Sequence, residues 1–128
     1  MKLIFILMLL PVFGMAQETK KEGSQLKGKA SIYANRFVGL RTATGEVFKH
    51  TNLTAASNNF KINTWVKVTN LVNLKSVIVR VNDRMHPRMA KMGRVVDLTQ
   101  AAAKLLGNFD GMLKVKVEEI AAIMPSDD

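Results

Sequence analysis

Cysteine is absent from these 128 residues, which excludes a disulfide and a lipid-bearing N-terminal cysteine alike. The chain must therefore stabilise itself through its hydrophobic core, and about 100 residues suffice for that. Long hydrophobic runs are scarce as well. The apolar run Leu3–Leu10 is too short to cross a bilayer as a helix, and no later segment is long enough. No stable membrane insertion is expected. Only two histidines occur, and His86 lacks a partner at ligand spacing, so no metal and no cofactor is expected. No internal repeat stands out. The length allows one domain and leaves little room for a second.

Residues 1–16 carry the three parts of a signal peptide. Lys2 supplies the positive start, Leu3–Leu10 the apolar stretch, and Gly14-Met15-Ala16 a small-residue cleavage site that would leave Gln17 as the new N-terminus. An exported protein in the periplasm or cell envelope is expected. Residues 17–27 are polar and charged without an apolar period and read as a flexible linker. A domain over 28–120 and a C-terminal tail over 121–128 are expected to follow, without a separate wall-anchoring domain. The net charge is +9. Nucleic acid is the default partner of a basic cytosolic domain, but export disfavours it. Anionic envelope polymers, such as cell-wall glycan with its peptide carboxylates, fit better. The alternative is a scattered positive surface that only aids solubility.

From residue 27 onward the pattern is β. Val77, Val79 and Val81 alternate with Ile78, Arg80 and Asn82 in a stretch rich in β-branched residues. Trp65–Asn70 alternates in the same way, and the short connection Leu71–Lys75 makes the two a hairpin. Lys27–Tyr33, Thr54–Ser57, Arg94–Leu98 and Leu113–Val117 read as further strands. Asn35–Asn52 reads as a long structured loop, and Met85–Gly93 as a basic, methionine-rich one. Thr99 suits an N-cap, Gln100–Leu106 a short helix and Gly107 its C-terminal stop. Short strands with frequent turns and one or two short helices predict a mainly β protein, a small six-stranded barrel.

The Ser76–Arg84 stretch runs into a polar cluster, Asn82-Asp83-Arg84, where the strand would end. Loops carried on a rigid sheet are where chemistry concentrates, so Asp83 is the first candidate. The alternative is that Asp83 only pairs with Arg80 or Arg84, or caps the turn.

Taken in order, Gly28-Lys29-Ala30-Ser31 with Tyr33, Phe37 with Gly39, Thr42-Ala43-Thr44-Gly45-Glu46 with Phe48, and Thr54-Ala55-Ala56 carry a resemblance that continues to the C-terminal side. There it runs through Val66-Lys67-Val68-Thr69-Asn70-Leu71, Val79-Arg80-Val81-Asn82-Asp83-Arg84, Asp97-Leu98-Thr99 and Ala101-Ala102-Ala103. Together these resemble the rare lipoprotein A (RlpA) family over roughly Gly28 to Glu119. The resemblance implies a double-psi β-barrel and a lytic transglycosylase acting on peptidoglycan as a monomer. Asp83 matches the family's essential aspartate, and Glu46 an acidic residue of its Thr-Ala-x-Gly-Glu pattern. Arg84 and Tyr33 are expected to meet substrate.

The family's histidine after Ala-Ala is Ser57 here, expected to line the same groove, so that Ser57→His would restore a third group. Leu74 replaces the glycine of an Asn-Gly turn, and Met85-His86-Pro87 stands where Gly-Pro-aromatic is usual. Such a reaction needs few groups. The sugar's own 6-hydroxyl attacks the anomeric carbon, and one carboxyl, Asp83, serves as acid and base. Glu46 would orient a sugar hydroxyl, or hold Asp83 protonated by like-charge repulsion, or be an exposed turn residue. The rival reading is a non-catalytic glycan-binding or wall-loosening barrel.

Overall fold

The computed structural model describes residues 24–120. The signal peptide at 1–16, most of the linker at 17–27 and the tail at 121–128 lie outside the described residues. Six strands close into a barrel: β1 (Gln25–Ile32), β2 (Thr54–Ala56), β3 (Trp65–Asn70), β4 (Ser76–Asp83), β5 (Arg94–Leu98) and β6 (Leu113–Glu119). Around the barrel they run β1-β5-β2-β4-β3-β6. The β1–β5 and β2–β4 pairs are parallel and the other four antiparallel. Closure gives each of the six strands a neighbour on both sides.

The alternation explains the interior. Val66, Val68, Val77, Val79, Val81, Val115 and Val117 all point into one core with Ala30, Ala55, Val96, Leu98 and Leu106. Each buried valine contributes roughly 1.5–3 kcal/mol of transfer free energy. The first strand starts earlier than its polar composition suggests. Gln25, Leu26 and Lys27, inside the segment read as linker, pair with Glu118, Val117 and Lys116 of β6. Pairing along a closed barrel orders residues that composition alone leaves free. Glycine suits position 28, because a Cβ there would press on Cγ1 of Val95 on β5. Its lack of side chain lets β1 and β5 approach.

Two helices join the strands. Helix α2 (Gln100–Leu105) starts where expected, with Thr99 Oγ1 accepting from the Ala102 amide at 3.2 Å. Helix α1 (Pro87–Lys91) lies inside the segment read as a loop. Pro87 occupies its first turn, where a missing N–H costs nothing, and Nδ1 of His86 caps it by accepting from the Arg88 amide at 3.0 Å. Five residues are too few to show an apolar period in sequence. The Asn35–Asn52 stretch is a loop containing a 3₁₀ turn at Asn35–Phe37 and a bridge between Arg41 and Val47. Among the described residues, no helix is long and apolar enough to cross a membrane.

Candidate active site

Strand β4 delivers Asp83 to one end of the barrel, and three donors hold its carboxylate there. Tyr33 Oη donates to Oδ2 at 2.8 Å, and the amides of Ala43 and Arg84 each donate to Oδ1 at 2.9 Å. The alternative in which Asp83 pairs with the side chain of Arg80 or Arg84 is not what the structure has. Tyr33 follows β1 and is buried, with its ring 4.2 Å from Phe48 and 5.7 Å from Phe37 between centroids. Burial, then the bond to Asp83, pushes its phenol far above the usual range. Tyr33 is therefore a fixed donor.

The loop that supplies the Ala43 amide is folded by its own residues. Thr42 N–H donates to the Glu46 carbonyl at 2.8 Å and Gly45 N–H to the Thr42 carbonyl at 2.9 Å. Gly45 has φ +89°, a conformation that glycine adopts at no steric cost. The Glu46 carboxylate then fastens this turn to β4. It accepts from Arg80 at 2.6 and 3.0 Å, from Thr44 Oγ1 at 2.6 Å and from Asn82 Nδ2 at 3.2 Å. The bonds from Arg80, above all, pull its carboxyl down to about 2. The expectation that Glu46 holds Asp83 protonated by repulsion does not survive this pairing. Arg80 neutralises the charge, and Glu46 is not among the residues that line the groove around Asp83. It positions the loop instead.

That groove encloses about 570 Å³ and is lined by Tyr33, Phe37, Asp83, Met85, Arg94 and Asp97 among others. Arg84 lines it too, although its Nη1 is turned onto the carbonyls of Ser57 and Phe60, each at 2.5 Å. Its guanidinium anchors backbone at the groove wall. Ser57 is elsewhere. It is fully buried, its Oγ donating to the Val95 carbonyl at 2.8 Å and accepting from the Asn59 amide at 3.2 Å. The expectation that Ser57 lines the groove is corrected accordingly. A small hydroxyl bonded to the backbone packs inside, and its own amide donates to the Asp83 carbonyl at 3.0 Å. Ser57 thus fixes the backbone of Asp83 from behind.

Sequence reasoning passed over Asp97. It belongs to β5, is 6% exposed, and accepts from Ser31 Oγ at 3.0 Å through Oδ1. Burial raises its carboxyl above the ordinary carboxylate range, Asp83 adds to the rise, and Ser31 and Arg94 oppose it. The signal was available. Asp97 is the one charged residue in Val95-Val96-Asp97-Leu98, where every neighbour is apolar and buried. A carboxyl in such a run has to be hydrogen-bonded or functional.

The comparisons with known proteins bear on the fold and the family. The profile of the family described as lytic transglycolase matches residues 25–117. An endolytic peptidoglycan transglycosylase RlpA from Pseudomonas aeruginosa is 47% identical over 97 residues, covering 75% of this chain and 28% of that protein. The chain thus spans about a quarter of the length of this curated relative. Among solved structures, the Streptomyces papain inhibitor superposes with a TM-score of 0.59 at 22% identity, over 77% of this chain and 96% of that one. The expansin of Clavibacter michiganensis superposes with a TM-score of 0.58 at 18% identity, over 80% of this chain and 53% of the expansin. These two likenesses concern the fold, which is a double-psi β-barrel. By the match to the family profile and the identity to its relatives, the chain belongs to the lytic transglycolase family of double-psi β-barrels.

Proposed function

We propose that this barrel is an endolytic peptidoglycan transglycosylase that cuts glycan strands and leaves 1,6-anhydro-muramic ends, with Asp83 as its proton-transfer group. The observation that carries the reading is the fixed Asp83 carboxylate in a groove wide enough for sugar. Cleavage needs a proton placed on the leaving oxygen and another taken from the 6-hydroxyl that attacks the anomeric carbon. Because that hydroxyl belongs to the sugar being cut, no water has to be activated, and orientation supplies much of the rate. Tyr33 and the amides of Ala43 and Arg84 hold Asp83 in one rotamer. A misplacement of about 1 Å can cost a hundredfold. The basic surface and the leader-like pattern of residues 1–16 support action on an anionic wall polymer outside the cytoplasm, and disfavour nucleic acid.

The experiment is incubation of protein starting at Gln17 with purified glycan strands, followed by mass spectrometry of the released muropeptides. Anhydro-muropeptides are expected from the wild type and none from Asp83→Asn, which should still bind the strands. A second reading, a glycan-binding barrel without turnover, is favoured by one observation. The position of the family's histidine holds Ser57, which cannot carry a proton near neutral pH and is buried away from the groove. Wild-type protein that sediments with glycan and releases no anhydro product would establish that reading instead.

A further inference from the structure

We propose that Asp97 is the catalytic acid of this site and that Asp83 is its base, so that the two proton transfers are divided between two carboxyls. The inference rests on the transglycosylase reading and goes beyond it by assigning a residue and a direction of proton flow.

On β2, Ala56 stands opposite Asp83 of β4 on one side and opposite Asp97 of β5 on the other. Ser31 of β1 continues the row beyond Asp97. The β2–β4 register shifts between Ala55 and Ala56, so what puts the two aspartates on one side is that both line the groove; each strand-to-strand step spans about 4.8 Å. Two carboxyl-bearing residues thus line one groove with backbones roughly 10 Å apart across β2. That separation leaves room for a glycosidic linkage between the two groups. Acid and base carboxyls in sugar chemistry flank the scissile bond in this way.

The surroundings differentiate the pair. Asp83 receives three hydrogen bonds, so its oxygens are already organised as acceptors. Asp97 is buried and accepts one bond, from Ser31 to Oδ1, while its Oδ2 has no hydrogen-bond partner among the described residues. Burial favours the neutral acid of Asp97. The charged or titratable groups that bear on Asp97 are Asp83, which favours its protonation, and Arg94, which opposes it. Tyr33 stays a neutral donor to Asp83. A buried carboxyl with one donor suits the acid role, and a carboxyl whose oxygens three donors hold in place suits the acceptor role.

The step balances. As the bond from C1 of the muramic residue to the leaving oxygen breaks, Asp97 passes its proton to that oxygen. The 6-hydroxyl oxygen of the same muramic residue bonds to C1, and its proton moves to Asp83. One proton has travelled from Asp97 to Asp83, and exchange with water restores both. Nothing else is consumed.

A pair of substrates separates the roles. Native glycan strands have a poor leaving group that needs an acid. A disaccharide ending in a muramic residue with 2,4-dinitrophenolate on C1 has a leaving group that needs none. Asp97→Asn is expected to lose about a hundred- to ten-thousandfold on strands and about tenfold or less on the dinitrophenyl substrate. Asp83→Asn loses activity on both. Ser31→Ala removes the donor to Oδ1 of Asp97, so the alkaline limb of the kcat/KM profile moves to higher pH while the acid limb stays. This variant carries the test should Asp97→Asn not fold.

Wild-type-like cleavage of strands by Asp97→Asn would overturn the assignment. So would equal losses on both substrates in a folded variant, or an unmoved alkaline limb in Ser31→Ala. A wild type that releases no anhydro product from either substrate defeats the transglycosylase reading itself, and the division of roles with it. An active wild type beside an unimpaired Asp97→Asn defeats only the division.

Discussion

Arg80 and Glu46 grip each other twice, Nη2 to Oε2 at 2.6 Å and Nη1 to Oε1 at 3.0 Å, and so bind the turn that carries the Ala43 amide to β4. The pair makes the protein acid-sensitive in a defined window. The Glu46 carboxyl titrates at about 2 in the folded chain against an ordinary 4.5. A lowered folded value means stability that is present above about 4.5 and lost as the pH falls from there towards 2. The side chains are 24% and 41% exposed, so solvent screening keeps the contribution below about 1 kcal/mol. Glu46→Gln should remove this part of the acid slope in urea titrations. It should also speed amide exchange at Ala43, which a merely superficial ion pair would leave alone.

Tyr33→Phe takes one donor from Asp83 and little else, since the ring still packs on Phe48 and Phe37. A hydrogen bond to a charged group is worth about 1.5–3 kcal/mol, so turnover should fall about ten- to a hundredfold if the bond matters mainly in the transition state. Binding to glycan strands should hold. An unchanged kcat would show that the two amides alone position Asp83.

Leu74, where an Asn-Gly turn is usual, adopts φ +66° and is 73% exposed. A side chain in the left-handed region costs about 1–2 kcal/mol, and glycine gives back about 0.5–1 kcal/mol through its greater freedom when unfolded. Leu74→Gly should therefore stabilise by about 0.5–1 kcal/mol, read as a higher urea midpoint at constant slope. No packing opposes the change.

Ser57→His restores the third group of the resembled family only if the fold tolerates the larger side chain, and the burial of Ser57 bears on that condition. The site is fully buried and its hydroxyl bonds to the Val95 carbonyl. Overpacking of this kind costs typically 1–3 kcal/mol. The variant should melt earlier, and cleavage of strands should not rise. A gain in turnover would mean that the segment after β2 rearranges to turn position 57 into the groove.

These results mark what could be read from the chain alone. The strands were legible because Val66, Val68, Val77, Val79 and Val81 repeat with a period of two and face one core. The position of Asp83 at the end of β4 was legible, because the alternation stops there. The partners of Glu46 were not, since Arg80 lies 34 residues away and only the closed barrel brings it near. Asp97 was read as part of a strand, and nothing in its neighbours reveals that β2 would set it across from Asp83. Burial of Ser57 was equally hidden, for a serine after two alanines fits a surface turn as well as an interior. Helix α1 escaped because a capping His86 and a first-turn Pro87 look like loop residues until the chain is folded.

The row of Ser31, Asp97, Ala56 and Asp83 has a consequence for timing. Its hydrogen bonds join residues 66 positions apart, and Tyr33 reaches Asp83 across 50. No segment of the chain holds two of these carboxyls together by local structure. During synthesis, residues 31 and 56 emerge long before β5, and the closing strand β6 comes last. Folds dominated by such distant pairings form slowly, in about milliseconds to seconds. A chain that is still being made, or that is threading through a narrow passage as an extended polymer, has no groove and no paired carboxyls. The groove around Asp83 and Asp97 is complete only when the last strand has paired.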